Sequence, residues 1–322
     1  MMDDTKQLKQ PKNFVLKNGN LTGFYETDKD THAKVSNTCG YDSVIQICAV
    51  GYMEYPNFKN KIVLKKDDVP SLQLVNMLCT QGTQGACKET YLQRVKANMQ
   101  TCTTSRSKTS PSRHSRGKRT KVSRLSGIHP YACLQLPSNL NLQYDMYGNL
   151  SEMMDKLFAK FPSVQILWKC PNGHEENLHQ VLISVNYEHL IQVGMNNFQD
   201  SIEFGMDPPS KKCTHVKCDL DMTEESTFEE HLFINLDSLM PEECAFYGKK
   251  YRLEEIPHQI NLRGNTYALI GLVSHKAQHY SALARRKTNH WEKIDDMNKS
   301  IYHVSSSDNV TPHLLFYVAL RK

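Results

Sequence analysis

A chain of 322 residues is long enough to bury a sizeable core as one large domain or two smaller ones. Apolar residues make up 39% of it, and no run approaches the roughly 18 consecutive apolar residues that span a bilayer, which argues against a membrane protein. Ten cysteines behind a polar, charged first stretch with no secretory pattern point to reduced thiols, metal ligation or catalysis. A disulfide framework is disfavoured, and an intracellular chain, nuclear or cytoplasmic, is expected.

In chain order, residues 1–30 read as a loosely structured lead, with Asn18-Gly19-Asn20 a turn signal. From Tyr41 the apolar positions Val44, Ile45, Ile47, Cys48 and Tyr52 fit a helical stripe. Helices are expected over 88–99 and 150–161, the second opened by Asn149 with Glu152 three residues on and stopped by Pro162. Short strands follow at Val164–Trp168, Gln180–Asn186, Leu190–Val193 and Ser201–Phe204. Further strands are expected at Tyr267–Val273, Tyr280–Arg285 and Leu314–Leu320. Helices first and strands later give an α+β domain without internal repeats.

The net charge of +5 is unevenly spread: residues 103–126 hold eight Lys or Arg, no acid, and many Ser and Thr. Such a stretch cannot bury enough apolar surface to order itself and reads as a disordered basic insertion. Two uses stay open for it, a solvated loop or a nuclear-targeting or nucleic-acid patch centred on Arg116-Gly-Lys-Arg-Thr-Lys121.

The chemistry-bearing residues lie near the two ends. Cys39 opens the first apolar helix, where unpaired N–H groups and a partial positive charge should lower a thiol's pKa. Far downstream, His279 is a candidate base. Tyr280–Arg285 and Trp291–Ile294 flank Lys287-Thr-Asn-His290, a plausible hairpin turn that brings Asp295 roughly opposite His279. A carboxylate there fixes the imidazole tautomer and supports its cation. Cys39 alone is equally a small buried residue, His279 alone a surface histidine. His275 and His290 read as strand or turn histidines, and Asp42, on the first helical turn, as a helix cap or a catalytic accessory.

Between the ends, Trp168-Lys-Cys170-Pro-Asn-Gly-His174 and Lys212-Cys213-Thr-His-Val-Lys-Cys218 form two short knuckles that can each give a metal two ligands. Cys170, His174, Cys213 and Cys218 are the expected set for one structural zinc, with His215 able to replace a cysteine. Four ordinary residues in polar turns is the other reading.

Asn37-Thr38-Cys39-Gly40-Tyr41-Asp42-Ser43-Val44-Ile45-Gln46, Tyr267-Ala-Leu269, Val273-Ser-His275, Gln278-His279-Tyr280 and Trp291-Glu-Lys-Ile-Asp295-Asp296, closing on Leu315-Phe316-Tyr317, resemble in order the boxes of the ubiquitin-specific proteases. Asp145-Met-Tyr resembles faintly a third family segment. The resemblance runs from about residue 30 to the end and identifies a divergent member. It implies a papain-like cysteine peptidase fold with a helical thumb, zinc-tipped β fingers over 163–225, and a β-sheet palm. It implies Cys39 as nucleophile, His279 as base and, as the first acid after the Trp box, Asp295 as orienting acid. The implied partners are ubiquitin or a relative such as SUMO, removed from substrate lysines through a thioester. Three positions depart from the family pattern: Gly40 replaces an aromatic residue, Gln278 a glycine, and Lys34 an oxyanion-stabilising Asn. These departures keep two alternatives open, a catalytically weak or inactive module that binds ubiquitin-like modifiers and a zinc-stabilised nucleic-acid binder using 103–126.

Overall fold

The computed structural model describes residues 14–28, 31–83, 87–105, 133–136, 141–206, 211–236, 250–276, 278–298 and 300–320. The basic stretch anticipated over 103–126 falls, from residue 106 on, outside the described residues.

The described residues form an α+β fold around a long central helix. Strands β1 (Tyr25–Asp28) and β2 (Thr31–Ser36) precede helix α1 (Cys39–Glu54). Helices α2 (Pro56–Lys65), α3 (Pro70–Gln81) and α4 (Cys87–Ser105) follow. Strands β3 (Cys133–Leu136) and β4 (Asn141–Asp145) lead to α5 (Leu150–Leu157). β1, β2, β4 and β3 make one four-stranded sheet, with β2 and β4 parallel. Every α1 residue from Gly40 to Tyr52 is buried, polar ones included. A helix without a wet face belongs to the middle of a core. α2 and α3 each begin with proline, whose missing N–H costs nothing at a first helical position.

Opposite the helices lies the palm, an eight-stranded sheet. It contains β7 (Leu182–Ser184), β10 (His231–Asn235), β12 (Gln259–Leu262), β13 (Asn265–Lys276), β14 (His279–Arg285), β15 (Trp291–Asp295), β16 (Ser300–Val304) and β18 (Pro312–Leu320). Its order is β16-β15-β14-β13-β18-β10-β7, with β12 beside β13. Alternation along the strands feeds two cores: Ile294, Phe316 and Ala282 face α1, whereas Trp291, Tyr317 and Leu283 face the other side. β11 (Tyr251–Arg252) and β17 (Asn309–Val310) form a separate short pair.

The finger is a third sheet, ordered β6-β5-β9-β8, from β5 (Val164–Lys169), β6 (Glu175–Gln180), β8 (Lys211–Lys212) and β9 (Asp221–Phe228). Two expected strands are helices instead: α6 (Tyr187–Val193) covers Leu190–Val193, and α7 (Phe198–Met206) covers Ser201–Phe204. The Asn186 side chain accepts the His189 N–H and starts α6, and Gly194, at φ 75, ends it. In α7 the buried residues Phe198, Ser201 and Ile202 recur at helical, not alternating, spacing. The strand expected over Gln180–Asn186 breaks at Val181 between β6 and β7. The helix expected over 150–161 stops at Leu157, though Asn149 caps it through the Ser151 and Glu152 N–H groups.

The described part of the 1–30 lead is integrated. Phe14, Val15 and Leu16 are buried in the main core. Leu16 N–H donates to Gln46 Oε1 of α1, and Lys17 N–H donates to the Tyr91 hydroxyl of α4. Gly19 lies so close to β2 that an added Cβ would sit 2.0 Å from the Val35 carbonyl oxygen, so only glycine fits.

Candidate functional site

Thr38 is the N-cap residue of α1 and Cys39 its first residue, partly exposed at the mouth of the helix. Facing it is the start of β14. The backbone N–H groups of Tyr280 and Gly40 lie on the side of the Cys39 sulfur and favour its thiolate form. The strand that begins with His279 thereby runs past the thiol. Cys39, Asn149, Met153, His275, Gln278 and Tyr280 line an open cleft of about 530 Å³. Gly40 faces this cleft, and a Cβ there would touch Tyr280, Leu150 and Met153 at 3.3–3.4 Å. A side chain at this position would have to shift these three side chains by a few tenths of an ångström. Gln278 has φ 62, the left-handed region that a glycine occupies without strain, which is the physical sense of the family glycine it replaces.

β14 and β15 are antiparallel, Ala282 opposite Ile294, and their connection closes through Arg286 N–H to His290 O and Asn289 N–H to Arg286 O. This hairpin places His279 Nε2 3.2 Å from Asp295 Oδ1 and 3.6 Å from Asp296 Oδ1. The two carboxyls differ in charge state. Burial raises Asp295, but the Met297 N–H, His279 and Lys293 outweigh it and hold the group below the ordinary carboxylate value. Asp296 is pushed up to about 8 by burial and by the neighbouring Asp42, so it stays protonated at neutral pH. Only Asp295 offers His279 a full negative charge.

Behind them lies a network that the sequence does not announce. Asp42 is wholly buried, and its two oxygens accept Arg94 Nη1 at 2.8 and 3.1 Å. Arg94, from α4, is 1% exposed and also donates to the Lys17 carbonyl. The Thr38 hydroxyl donates to Asp42 as well. The helix-cap reading of Asp42 therefore gives way to a buried ion pair. Asn18 Nδ2 donates to Asp296 Oδ2 at 2.7 Å, and the Asn18 N–H donates to the Asp296 carbonyl. Asn20 exchanges hydrogen bonds with Asn37, whose Nδ2 reaches Asp145 Oδ1 at 2.8 Å. Asn18, read from sequence only as part of a turn, anchors the strand end that carries both acids. Asp42 was read from sequence as a helix cap or catalytic accessory, and its distant partner Arg94 was not legible.

The expected lowering of the Cys39 pKa is also corrected. Burial raises the thiol, Asp296 and Asp42 add to the rise, and the Tyr280 and Gly40 N–H groups offset it in part. Burial and two nearby acids outweigh the partial charge of a helix terminus. Lys34 sits on β2, paired in register with Gln143 of β4.

At the finger tip Cys170, His174, Cys213 and Cys218 converge, one ligand atom from each lying within 4.8 Å of the others. Cys170 Sγ is 3.4 Å from Cys218 Sγ, and Cys213 Sγ is 3.3 Å from His174 Nδ1. His215 stacks on His174 at 4.0 Å, beside the set. The Leu220 N–H, opposed by burial and helped by the neighbouring Cys170, Cys213 and His174, lowers Cys218 to about 6. Three thiols and one imidazole at these separations match a closed tetrahedral zinc site, so the residues present fit the ion.

No helix is long and apolar enough to cross a membrane among the described residues. No protein-family model matches the chain, and no curated protein matches it. Among solved structures, it is similar to a chain of the SAGA Ubp8/Sgf11/Sus1/Sgf73 DUB module with a variant Ubp8, at TM-score 0.46 and 14% identity, over 100% of this chain and 71% of that one. The same module bound to ubiquitin aldehyde gives TM-score 0.42 and 12% identity, over 98% and 72%. The Saccharomyces cerevisiae PAN2 pseudoubiquitin-hydrolase-RNase module gives TM-score 0.30 and 16% identity, over 53% of this chain and 35% of that one.

Proposed function

We propose that the chain is a thiol-dependent isopeptidase that removes ubiquitin or a ubiquitin-like modifier such as SUMO from substrate lysines. The observation that supports this most is His279, held 3.2 Å from an ionised Asp295 at the start of the strand whose next residue, Tyr280, lines one cleft with Cys39. With Nε2 engaged by Asp295, His279 transfers protons at Nδ1. It takes the Cys39 proton, and the sulfur attacks the carbonyl of the modifier's C-terminal glycine. The C–N bond breaks as the imidazolium gives its proton to the lysine amine, leaving a thioester. Water then attacks that carbonyl with His279 as base, and a carboxylate and the free thiol are released. The raised Cys39 pKa means that the thiol stays protonated until His279 takes its proton as the attack begins.

That same rise favours a second reading, a weak or inactive module that binds the modifier without cleaving it. Ubiquitin and SUMO bearing C-terminal cysteine-reactive warheads separate the two. Labelling of one of them is expected on Cys39 alone, and Cys39→Ala should abolish it without shifting the melting temperature. Labelling that persists in that variant sinks the nucleophile assignment. Tight binding without any labelling of the wild-type chain supports the inactive module.

The finger cluster is proposed to hold a structural zinc through Cys170, His174, Cys213 and Cys218, tying the β5–β6 turn to the segment around β8. Bound there, the ion supplies folding free energy and no chemistry. Purified protein should carry about one tightly held zinc per chain, and chelation should lower its melting temperature. Cooperative melting of zinc-free protein at an unchanged temperature would discard the site. The basic stretch 103–126 is left with a proposed weak nucleic-acid contact.

A further inference from the structure

We propose that His290, Glu292 and His303 form a second metal site, for a divalent transition ion of the zinc class, on the outer edge of the palm. The backbone brings the three together. His290 immediately precedes β15, Glu292 is the second residue of that strand, and Glu292 is directly opposite His303 on β16. One ligand atom from each lies within 4.8 Å of the others. His290 Nε2 and Glu292 Oε1 are 3.1 Å apart. Nitrogen and oxygen ligands about 2.0–2.1 Å from a tetrahedral zinc stand roughly 3.3 Å apart, so little movement is needed to admit the ion.

The surroundings suit ligation. Thr288 Oγ1 lies 2.6 Å from His290 Nδ1 and can accept its proton, which fixes the tautomer that leaves Nε2 for the metal. Glu292 is aimed by Arg286, whose Nη1 is 3.5 Å from Glu292 Oε2 and whose Nε is held 2.6 Å from Glu54 Oε1 at the end of α1. His290 and His303 are exposed, so the fourth position opens to water. Two imidazoles and a carboxylate select zinc, nickel or copper over magnesium or calcium, and the thiol-free set distinguishes this site from the finger cluster. Among the described residues β16 ends the sheet, paired to β15 alone, so an ion here pins an edge strand.

The inference does not depend on the peptidase reading. Its test is a calorimetric titration of the full chain, already loaded at the finger, with zinc chloride. One further equivalent per chain is expected, together with a raised melting temperature. His303→Ala and His290→Ala should each remove that equivalent while melting like the wild type in chelator-treated buffer, since both positions are exposed. Glu292→Gln should weaken binding without abolishing it. A wild-type chain that takes no further zinc, or histidine variants that still take it, overturns the proposal.

Discussion

Arg94→Met should be the most damaging single change outside the cleft, costing about 3–5 kcal/mol of stability, the usual loss when one partner of a buried ion pair is removed. The guanidinium is the cation facing Asp42, which is 0% exposed and 2.8 Å from it. Without Arg94, Asp42 must take up a proton or remain an unpaired charge beside Asp296. Methionine fills much of the arginine stem's volume, so the loss measures charge rather than a cavity. A second change discriminates further. Asp42→Asn added to Arg94→Met should recover most of the stability, because the new amide oxygen would still accept the Thr38 hydroxyl and no buried charge would remain. Denaturant melts of the two single variants and the double give the coupling directly. An Arg94→Met variant within about 1 kcal/mol of wild type would mean that the pair is weakly coupled and that water reaches it.

His279→Ala should remove turnover almost completely, by about 10⁴-fold to 10⁶-fold in kcat if the chain is the proposed peptidase, since nucleophile and leaving group both lose their proton carrier. Asp295→Asn should leave residual activity, down about 10²-fold to 10⁴-fold, because an orienting acid acts only through the base. Asp296→Asn should cost far less. Its carboxyl is already neutral at pH 7, and an amide oxygen still accepts the Asn18 Nδ2 bond. Single-turnover rates on a ubiquitin or SUMO isopeptide substrate compare the three. If Asp296→Asn proves the more harmful aspartate change, the orienting acid has been misassigned.

Much of this arrangement was legible in the amino-acid sequence because its signals are local. The apolar stripe from Val44 to Tyr52 marks α1, and Asn149 marks the start of α5. The turn between the flanking β patterns of Tyr280–Arg285 and Trp291–Ile294 brings His279 near Asp295, since a hairpin is a short-range object. The two knuckles likewise hold their ligand types within a few residues, and pairing them needs only two strand tips on one sheet. Tertiary structure decided what depends on distant partners. Ser201–Phe204 alternates well enough for a strand, yet packing of Phe198 and Ile202 against the second core makes it helical. Asn18 reads as a loop residue until the palm places Asp296 against it, 278 positions away. Arg94 is one basic residue on a polar helix by sequence, and becomes a buried counter-ion only because α4 packs beside the mouth of α1. The charge state of Cys39 departs from its sequence expectation for the same reason. A helix terminus is visible in sequence, whereas the burial and the two carboxyls that outweigh it are set by which elements the fold brings behind the thiol.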